Sequence, residues 1–327
     1  METHILAPIP GKDYPQTWNE FLDWFPTEDA CLSYLQGLRW PDGFVCPACG
    51  VMAQPYQASR TRLMCRHCKH QASVTAGTIF DKTRTALRVW LAAAWYLTNQ
   101  KQGVSALGLQ RVLGLGSYQT AWTMLHRFRR AMVRPDRDKL KGRVEVDETF
   151  LAIGDRKNPI SSKARKSNSR MVFVVMAVEI LHPKGFGRIR LRRIENDSDA
   201  CVIPFVQDVV DSASEVCTDG SAAYRSLKDL GYKHRQTVML GSNVPAHVSM
   251  AGVHRVASLI KRWLVGTHHG AIQPEQLDYY LDEFVFRFNR RNSNSRGMLF
   301  YRLLQQAVAT NPVTYQDVTL KRSSVKK

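Results

Sequence analysis

Apolar residues recur at helical spacing through the first third of the chain and then give way to alternation. Trp18, Phe21, Leu22 and Phe25 share one helical face, and Thr27-Glu-Asp opens a second helix ending near Gly37, so two short helices are expected between Tyr14 and Leu38. Leu87, Trp90, Leu91, Ala94 and Tyr96 predict a longer helix over Ala86–Thr98. Ser105–Val112, a turn at Gly114–Ser117 and Tyr118–Met132 form a helix–turn–helix pattern. Its second helix sets Gln119, Thr120, Thr123, His126, Arg127, Arg129 and Arg130 against an apolar face of Ala121, Met124, Leu125 and Phe128. After the polar stretch Arg134–Lys141, the runs Arg143–Ile153, Met171–Ile180 and Arg188–Ile194 read as three consecutive strands of a meander. Between the first two, Asp155–Arg170 carries six Lys or Arg and reads as an exposed loop. A helix over Asp197–Ala213, a short strand over Glu215–Asp219, a helix over Ser221–Leu230 and a strand over Lys233–Leu240 are expected next. Helical stretches over Val253–Val265 and Gln273–Asn289 follow.

Three antiparallel strands, then helix–strand–helix–strand and closing helices, is the element order of a ribonuclease H-like α/β domain, a mixed sheet with flanking helices. The expected organisation is therefore N-terminal helices and a cysteine-bearing ribbon over 14–80, a helix–turn–helix region over 81–135, the ribonuclease H-like domain over 143–312, and a basic tail over 313–327. Hydrophobic residues at 44% and charged residues at 23% exclude wholesale disorder. No apolar run approaches the roughly 18 residues of a membrane span. The start, METHILAPIPGKDYPQTW, is too short in its apolar part and too Pro-broken for a signal peptide, so a cytosolic protein is expected.

Charge sharpens this picture. The 46 Lys and Arg against 28 Asp and Glu give a formal charge of +18, which calls for a polyanionic partner because each cation set on a phosphate releases a counterion. A merely soluble basic protein is the competing reading. A helix–turn–helix whose second helix is basic suits duplex DNA, although such hairpins also serve as plain structure.

Four of the seven cysteines cluster as Cys46-Pro-Ala-Cys49 and Cys65-Arg-His-Cys68, two CxxC pairs separated by 15 residues. Each pair can form a knuckle with backbone N–H groups aimed at the thiolates, and two knuckles close a tetrahedral sulfur site of the structural Zn²⁺ type. Tyr56–Met64 reads as hairpin strands between them, and Gly50 stands where a positive φ is useful. Disulfides or a redox pair are the alternative. Arg60, Arg62, Arg66, Lys69 and His70 surround the ligands and suit a phosphate-facing surface. Cys31, Cys201 and Cys217 read as small core residues.

In the ribonuclease H-like fold, metal-binding acids lie on the middle of the first strand, at the end of the fourth, and at the start of a later helix. The first strand offers Glu145, Asp147 and Glu148, with Glu145 and Asp147 on one face and Glu148 on the other. Asp147 stands in an otherwise apolar strand, where a lone carboxylate is costly and a metal supplies a partner. Asp219 ends the fourth strand ahead of Gly220. Two such acids can hold a pair of Mg²⁺ ions that activate an attacking hydroxyl and stabilise the leaving oxygen at phosphorus. A strand-edge acid for Asp147 and a helix N-cap for Asp219 remain as alternatives.

The runs LRWPDGFVCPACG, GRVEVDETF, TDGSAAY, and VHRVASLIKRWLVGTHHG followed by YLDEFVFRFNRR resemble the ISXO-two-like insertion-sequence transposases, related to the Merlin group of DDE transposases. The likeness runs from about Phe25 to Pro312. It implies Mg²⁺-dependent strand cleavage and transfer, and double-stranded DNA as partner, both terminal inverted repeats and target. It further implies a homodimer or higher oligomer on DNA and action at the bacterial nucleoid. By motif, Asp147 and Asp219 match the first two metal-binding acids and Lys261 a phosphate-contacting lysine. At the third position, where the wider superfamily carries Glu, stands His254. A neutral imidazole can ligate there, favouring Mn²⁺ or softer ions over Mg²⁺, or it can contact DNA together with Arg255. Asp282 and Glu283 offer a replacement carboxylate, or ion pairs with Arg287 or Arg290. His268 and His269 read as structural or DNA-contacting. Two other functions compete: a zinc-ribbon and helix–turn–helix regulator whose catalytic domain is inactive, and an RNA-cleaving nuclease on the same fold.

Overall fold

Two threonines open the fold. Thr17 and Thr27 accept from the backbone N–H groups of Glu20 and Ala30, each at 3.2 Å, and so cap α1 (Trp18–Trp24) and α2 (Glu28–Arg39). The computed structural model describes residues 7–58, 61–134, 137–154, 171–237, 249–270 and 272–319. Beyond α2 come three short strands, β1 (Tyr56–Gln57), β2 (Leu63–Met64) and β3 (Gln71–Ala72), then α3 (Leu87–Asn99), α4 (Ala106–Leu113) and α5 (Tyr118–Ala131). The second half holds β4 (Arg143–Ala152), β5 (Met171–Ile180), β6 (Phe186–Ile194), α6 (Asp199–Val209), β7 (Glu215–Thr218) and β8 (Lys233–Gln236). It continues with α7 (Ala251–His268), α8 (Leu277–Asn289), α9 (Arg296–Ala309) and α10 (Tyr315–Thr319). Within the described residues the result is a mixed α/β chain. The expected helix after β7 is a six-residue 3-10 turn, Ala222–Leu227. The basic stretch Asp155–Arg170, the end of the last expected strand at Val238–Leu240, and the tail from Leu320 lie outside the described residues.

Two units emerge from the internal packing: Met1–Arg134 with Ser293–Val318, and Pro135–Asn292. In the first, an aromatic core forms where α1, α2, α3 and α9 meet. Phe300 of α9 lies 5.8 Å from Phe21, 6.0 Å from Phe25 and 5.4 Å from Trp95, ring centre to ring centre. Helix α9 thus packs with the N-terminal helices. Gly297 permits this: a Cβ there would sit 1.9 Å from the carbonyl oxygen of Pro15. Helix α3 has no cap of its own, and the Glu28 side chain accepts the N–H groups of Leu87 and Arg88 instead.

The second unit is built on a five-stranded sheet of order β6-β5-β4-β7-β8. Strands β4, β5 and β6 are antiparallel, while β7 runs parallel to both β4 and β8. Both faces are covered, which explains why β5 reads as a continuous apolar run. Val174, Met176 and Val178 meet Val253, Val256 and Ile260 of α7 and Leu281 and Phe284 of α8. On the opposite face, Val144, Val146, Val175 and Ala177 meet Val202, Phe205 and Val206 of α6 and Tyr224 of the 3-10 turn.

Candidate metal centres

The two CxxC segments fold alike. In the first, Gly50 N donates to Cys46 O at 2.9 Å and Cys46 N to Val51 O at 3.0 Å; in the second, Lys69 N donates to Cys65 O at 3.0 Å and Cys65 N to His70 O at 2.9 Å. The residue after each second cysteine is left-handed, Gly50 at φ 71° and Lys69 at φ 63°, so the turn tolerates a lysine where glycine is the easier choice. These knuckles bring the four Sγ atoms within 4.8 Å of one another, with Cys46–Cys68 at 3.6 Å and Cys49–Cys65 at 3.8 Å. Sulfurs about 2.3 Å from a tetrahedral Zn²⁺ stand about 3.8 Å apart, so the cluster fits that ion closely. The N–H groups of Cys68 and His67 favour the Cys65 thiolate and hold its thiol below the ordinary range, against the upward push of burial. Of the nearby cations, Arg66 lies 4.4 Å over the ring of the exposed Tyr56 and the Lys69 ammonium 5.7 Å from it. Arg60 lies outside the described residues.

Strand register assembles the second candidate centre. Parallel pairing of β4 with β7 sets Arg143 beside Glu215 and Glu145 beside Cys217. Two places further along stand Asp147, still within β4, and Asp219, the residue that follows β7. Burial raises the Asp147 carboxyl to about 6, and the neighbouring Asp219 charge adds to that rise while His254 opposes it. Asp147 Oδ1 accepts its own neighbour's amide, Glu148 N, at 2.9 Å. Asp219 Oδ1 accepts Ser221 N at 2.9 Å, but the cap of the 3-10 turn is Ser221, whose hydroxyl takes Ala223 N at 3.3 Å. His254 lies in the first turn of α7, and its Nε2 is buried with no hydrogen-bond partner among the described residues. Among those residues, only the four cysteines bring three or more ligand atoms within 4.8 Å of one another.

The other acids of β4 have protein partners. Glu145 shares a face with Asp147 and is buried, its Oε2 accepting the N–H groups of Gly252 and Val253. Glu148, on the opposite face, accepts from the buried Tyr224 hydroxyl, and burial pushes its carboxyl up to about 7 despite that bond, with Asp147 and Asp219 adding to the rise. Sequence reasoning missed both arrangements. Glu145 and Gly252 are 107 residues apart, and no pattern in either segment points to the other. Glu283 is fully buried and pairs with Arg287 at 2.8 Å, the ion-pair reading of that acid. Lys261, seven residues or about two turns along α7 from His254, borders a groove of about 410 Å³ with Phe150, Leu151, Met171, Val265 and His269. His268 packs between Trp263 and Tyr280, at 4.8 and 4.7 Å.

The basic face expected on α5 is narrower than its sequence suggests. His126 and Arg129 are 0% and 1% exposed and contact each other at 3.3 Å, and Arg127 donates to Ile79 O at 2.9 Å. Trp122 on the same helix lies 4.1 Å from His126, ring centre to ring centre, and 5.9 Å from Tyr315 of α10. Gln119, Thr120 and Thr123 line a groove of about 310 Å³ with Lys82, Arg84 and Arg127.

A four-cysteine ribbon followed by a mixed α/β unit defines a protein of the zinc-ribbon class with a second, α/β unit. Residues 26–71 match the model of the transposase zinc-ribbon domain, and residues 139–289 that of the ISXO2-like transposase domain. Together the two matches span more than half of the chain, which belongs to the ISXO2-like transposases. It is 27% identical over 276 residues to an uncharacterized protein in transposable element ISH50 of Halobacterium salinarum, covering 80% of this chain and 91% of that one. A solved structure, the simian T-cell lymphotropic virus intasome in complex with PP2A regulatory subunit B56 gamma, matches 58% of this chain and 70% of its own at 13% identity. Its TM-score of 0.29 is too low to bear on the fold. No helix among the described residues is long and apolar enough to cross a membrane.

Proposed function

We infer that this transposase binds the terminal inverted repeats of its element as duplex DNA and cleaves and joins strands at a divalent-metal centre of Asp147, Asp219 and His254. What supports this reading is Asp147, whose carboxyl is raised by burial and by the charge of Asp219 and lowered by His254, together with a buried His254 nitrogen that has no hydrogen-bond partner among the described residues. An orphaned buried nitrogen is costly, and a cation between it and two carboxylates relieves both the nitrogen and the repulsion between the acids. The donor set of two carboxylates and one imidazole fits Mn²⁺, or Mg²⁺ that keeps several waters. When bound, such ions activate the attacking oxygen and stabilise the leaving one at phosphorus.

The chain's residues do the rest. Asp147 and Asp219 hold the charge that attracts the ion, His254 completes the set from α7, and Lys261 meets a phosphate along the same helix. The sheet order, with three antiparallel strands and then two parallel ones, supports a ribonuclease H-like unit. Helices α4 and α5 support a helix–turn–helix reading, with Gln119, Thr120, Thr123 and the basic residues of their groove as the DNA-facing set. The closed zinc ribbon has no open position for chemistry and serves to present Arg62, Arg66 and Lys69. Bringing two element ends together calls for a homodimer or larger assembly.

The test is cleavage of a labelled duplex carrying the flanking inverted repeat, in Mg²⁺ and in Mn²⁺, with the wild type and Asp147→Ala. Metal-dependent nicking at the repeat boundary, absent in the variant, is the expected result. Tight binding without cutting in either metal would replace this reading with that of a DNA-binding regulator.

A further inference from the structure

Helix α7, which carries both His254 and Lys261, begins without a cap of its own: Met250 makes no side-chain hydrogen bond to its first turn. Glu145 supplies that cap from the sheet. Its Oε2 accepts Gly252 N at 2.8 Å and Val253 N at 3.2 Å, and the residue is 4% exposed. These amides belong to the first turn of the helix, where no intrahelical acceptor exists and the positive end of the helix dipole favours a carboxylate. The contact requires glycine. A Cβ on Gly252 would stand 2.9 Å from Glu145 Oε2 and 2.7 Å from Ile180 Cδ1.

Each side of this contact adjoins a candidate ligand. Glu145 precedes Asp147 by two residues on the same face of β4, about 7 Å along the strand. Val253 is followed directly by His254, and His254 N makes an early helical bond to Met250 O at 3.4 Å. One carboxylate therefore ties the strand of the first ligand to the first turn of the helix that carries the third. Moving α7 by a fraction of a turn would carry the His254 imidazole away from Asp147 while leaving the β4–β7 pairing intact.

We propose that Glu145, seated on the Gly252 and Val253 amides, is a positioning residue that sets His254 against Asp147 and thereby the metal affinity of the centre. This rests on the metal reading given above. Residues that orient metal ligands in this way typically change affinity about 10–100-fold when altered.

The test uses the full, zinc-loaded chain bound to an end duplex, with Mn²⁺ binding followed by electron paramagnetic resonance of the free ion. Glu145→Gln keeps the size of the side chain but weakens its hold on the amides. It is expected to raise the Mn²⁺ dissociation constant about tenfold while leaving duplex affinity and zinc content unchanged. Gly252→Ala is expected to have at least as large an effect. Hydrogen exchange at the Gly252 and Val253 amides is a second readout, expected to be slow in the wild type and fast in Glu145→Ala. Wild-type Mn²⁺ affinity in both Glu145→Gln and Gly252→Ala, with the site lost in Asp147→Ala, would overturn the positioning role and leave the metal reading standing. Unchanged Mn²⁺ binding in Asp147→Ala would overturn both. Fast exchange of the two amides in the wild type would remove the contact itself, whatever the variants do.

Discussion

The two candidate centres are built in opposite ways. The four cysteines sit on two self-contained knuckles, and each knuckle's geometry follows from hydrogen bonds between residues five or fewer apart. Asp147 lies on a central strand, Asp219 directly after its parallel neighbour and His254 in the first turn of a helix packed on the sheet, so their relative positions depend on sheet register and helix docking. The cysteine sulfurs are already at the spacing of a tetrahedral ion. Among the described residues no comparable cluster of acids and imidazoles is formed. A local site survives changes elsewhere in the fold, whereas a site assembled over long range is exposed to every contact that holds its elements in register.

The comparison can be broken most sharply at the acids. Asp147→Ala and Asp219→Ala are each expected to take cleavage of the end duplex to background while end binding and zinc content stay nearly intact. Cutting at the wild-type rate in either variant would remove that residue from the centre. Next in size, Cys46→Ser or Cys65→Ser is expected to bring zinc below one ion per chain and to weaken duplex binding. Structural zinc supplies about 10–16 kcal/mol of apparent binding free energy in small ribbons, so a three-thiolate remnant should lose the ordered knuckles. Unchanged duplex binding by a demonstrably zinc-free protein would show that the ribbon takes no part in holding DNA.

A third test leaves both ligand sets untouched. Arg287→Ala removes the ion-pair partner of the fully buried Glu283 and is expected to lower the stability of that unit in denaturant unfolding by about 1–3 kcal/mol. Zinc content should stay at its wild-type value, since the knuckles share no contact with that pair. A change below about 0.5 kcal/mol would mean that the pair contributes nothing to stability. The smallest expected effect is one of preference. His254→Glu should shift the ratio of Mn²⁺- to Mg²⁺-supported cleavage toward Mg²⁺, because a carboxylate suits the harder ion. An unchanged ratio would indicate that residue 254 does not touch the metal.

Much of this was legible along the chain. The β5 strand falls where its apolar run predicts, at Met171–Ile180, and β4 ends one residue short of its expected limit. The double CxxC spacing announced the cysteine cluster, because short loops restrict where four ligands can lie. The alternation of β4 placed Glu145 and Asp147 on one face and Glu148 on the other, as their partners in the structure bear out. Helix α5 was the harder case. Its pattern set His126 and Arg129 among the exposed polar residues, yet both are buried, a result of tertiary packing that no pattern within α5 could announce.

The family resemblance alone singled out His254, whereas spacing, alternation and charge determined the ribbon, most of the order of strands and helices, and the acids of the first strand. These are properties of neighbours in the chain, and local backbone geometry translates them directly. Only the tertiary structure decided that Glu145 caps a helix, that Glu283 pairs with Arg287, and that α9 returns to the N-terminal aromatic core. Each of those outcomes depends on which distant groups share one desolvated space, where an unpaired charge or an uncapped helix end is too costly to leave alone.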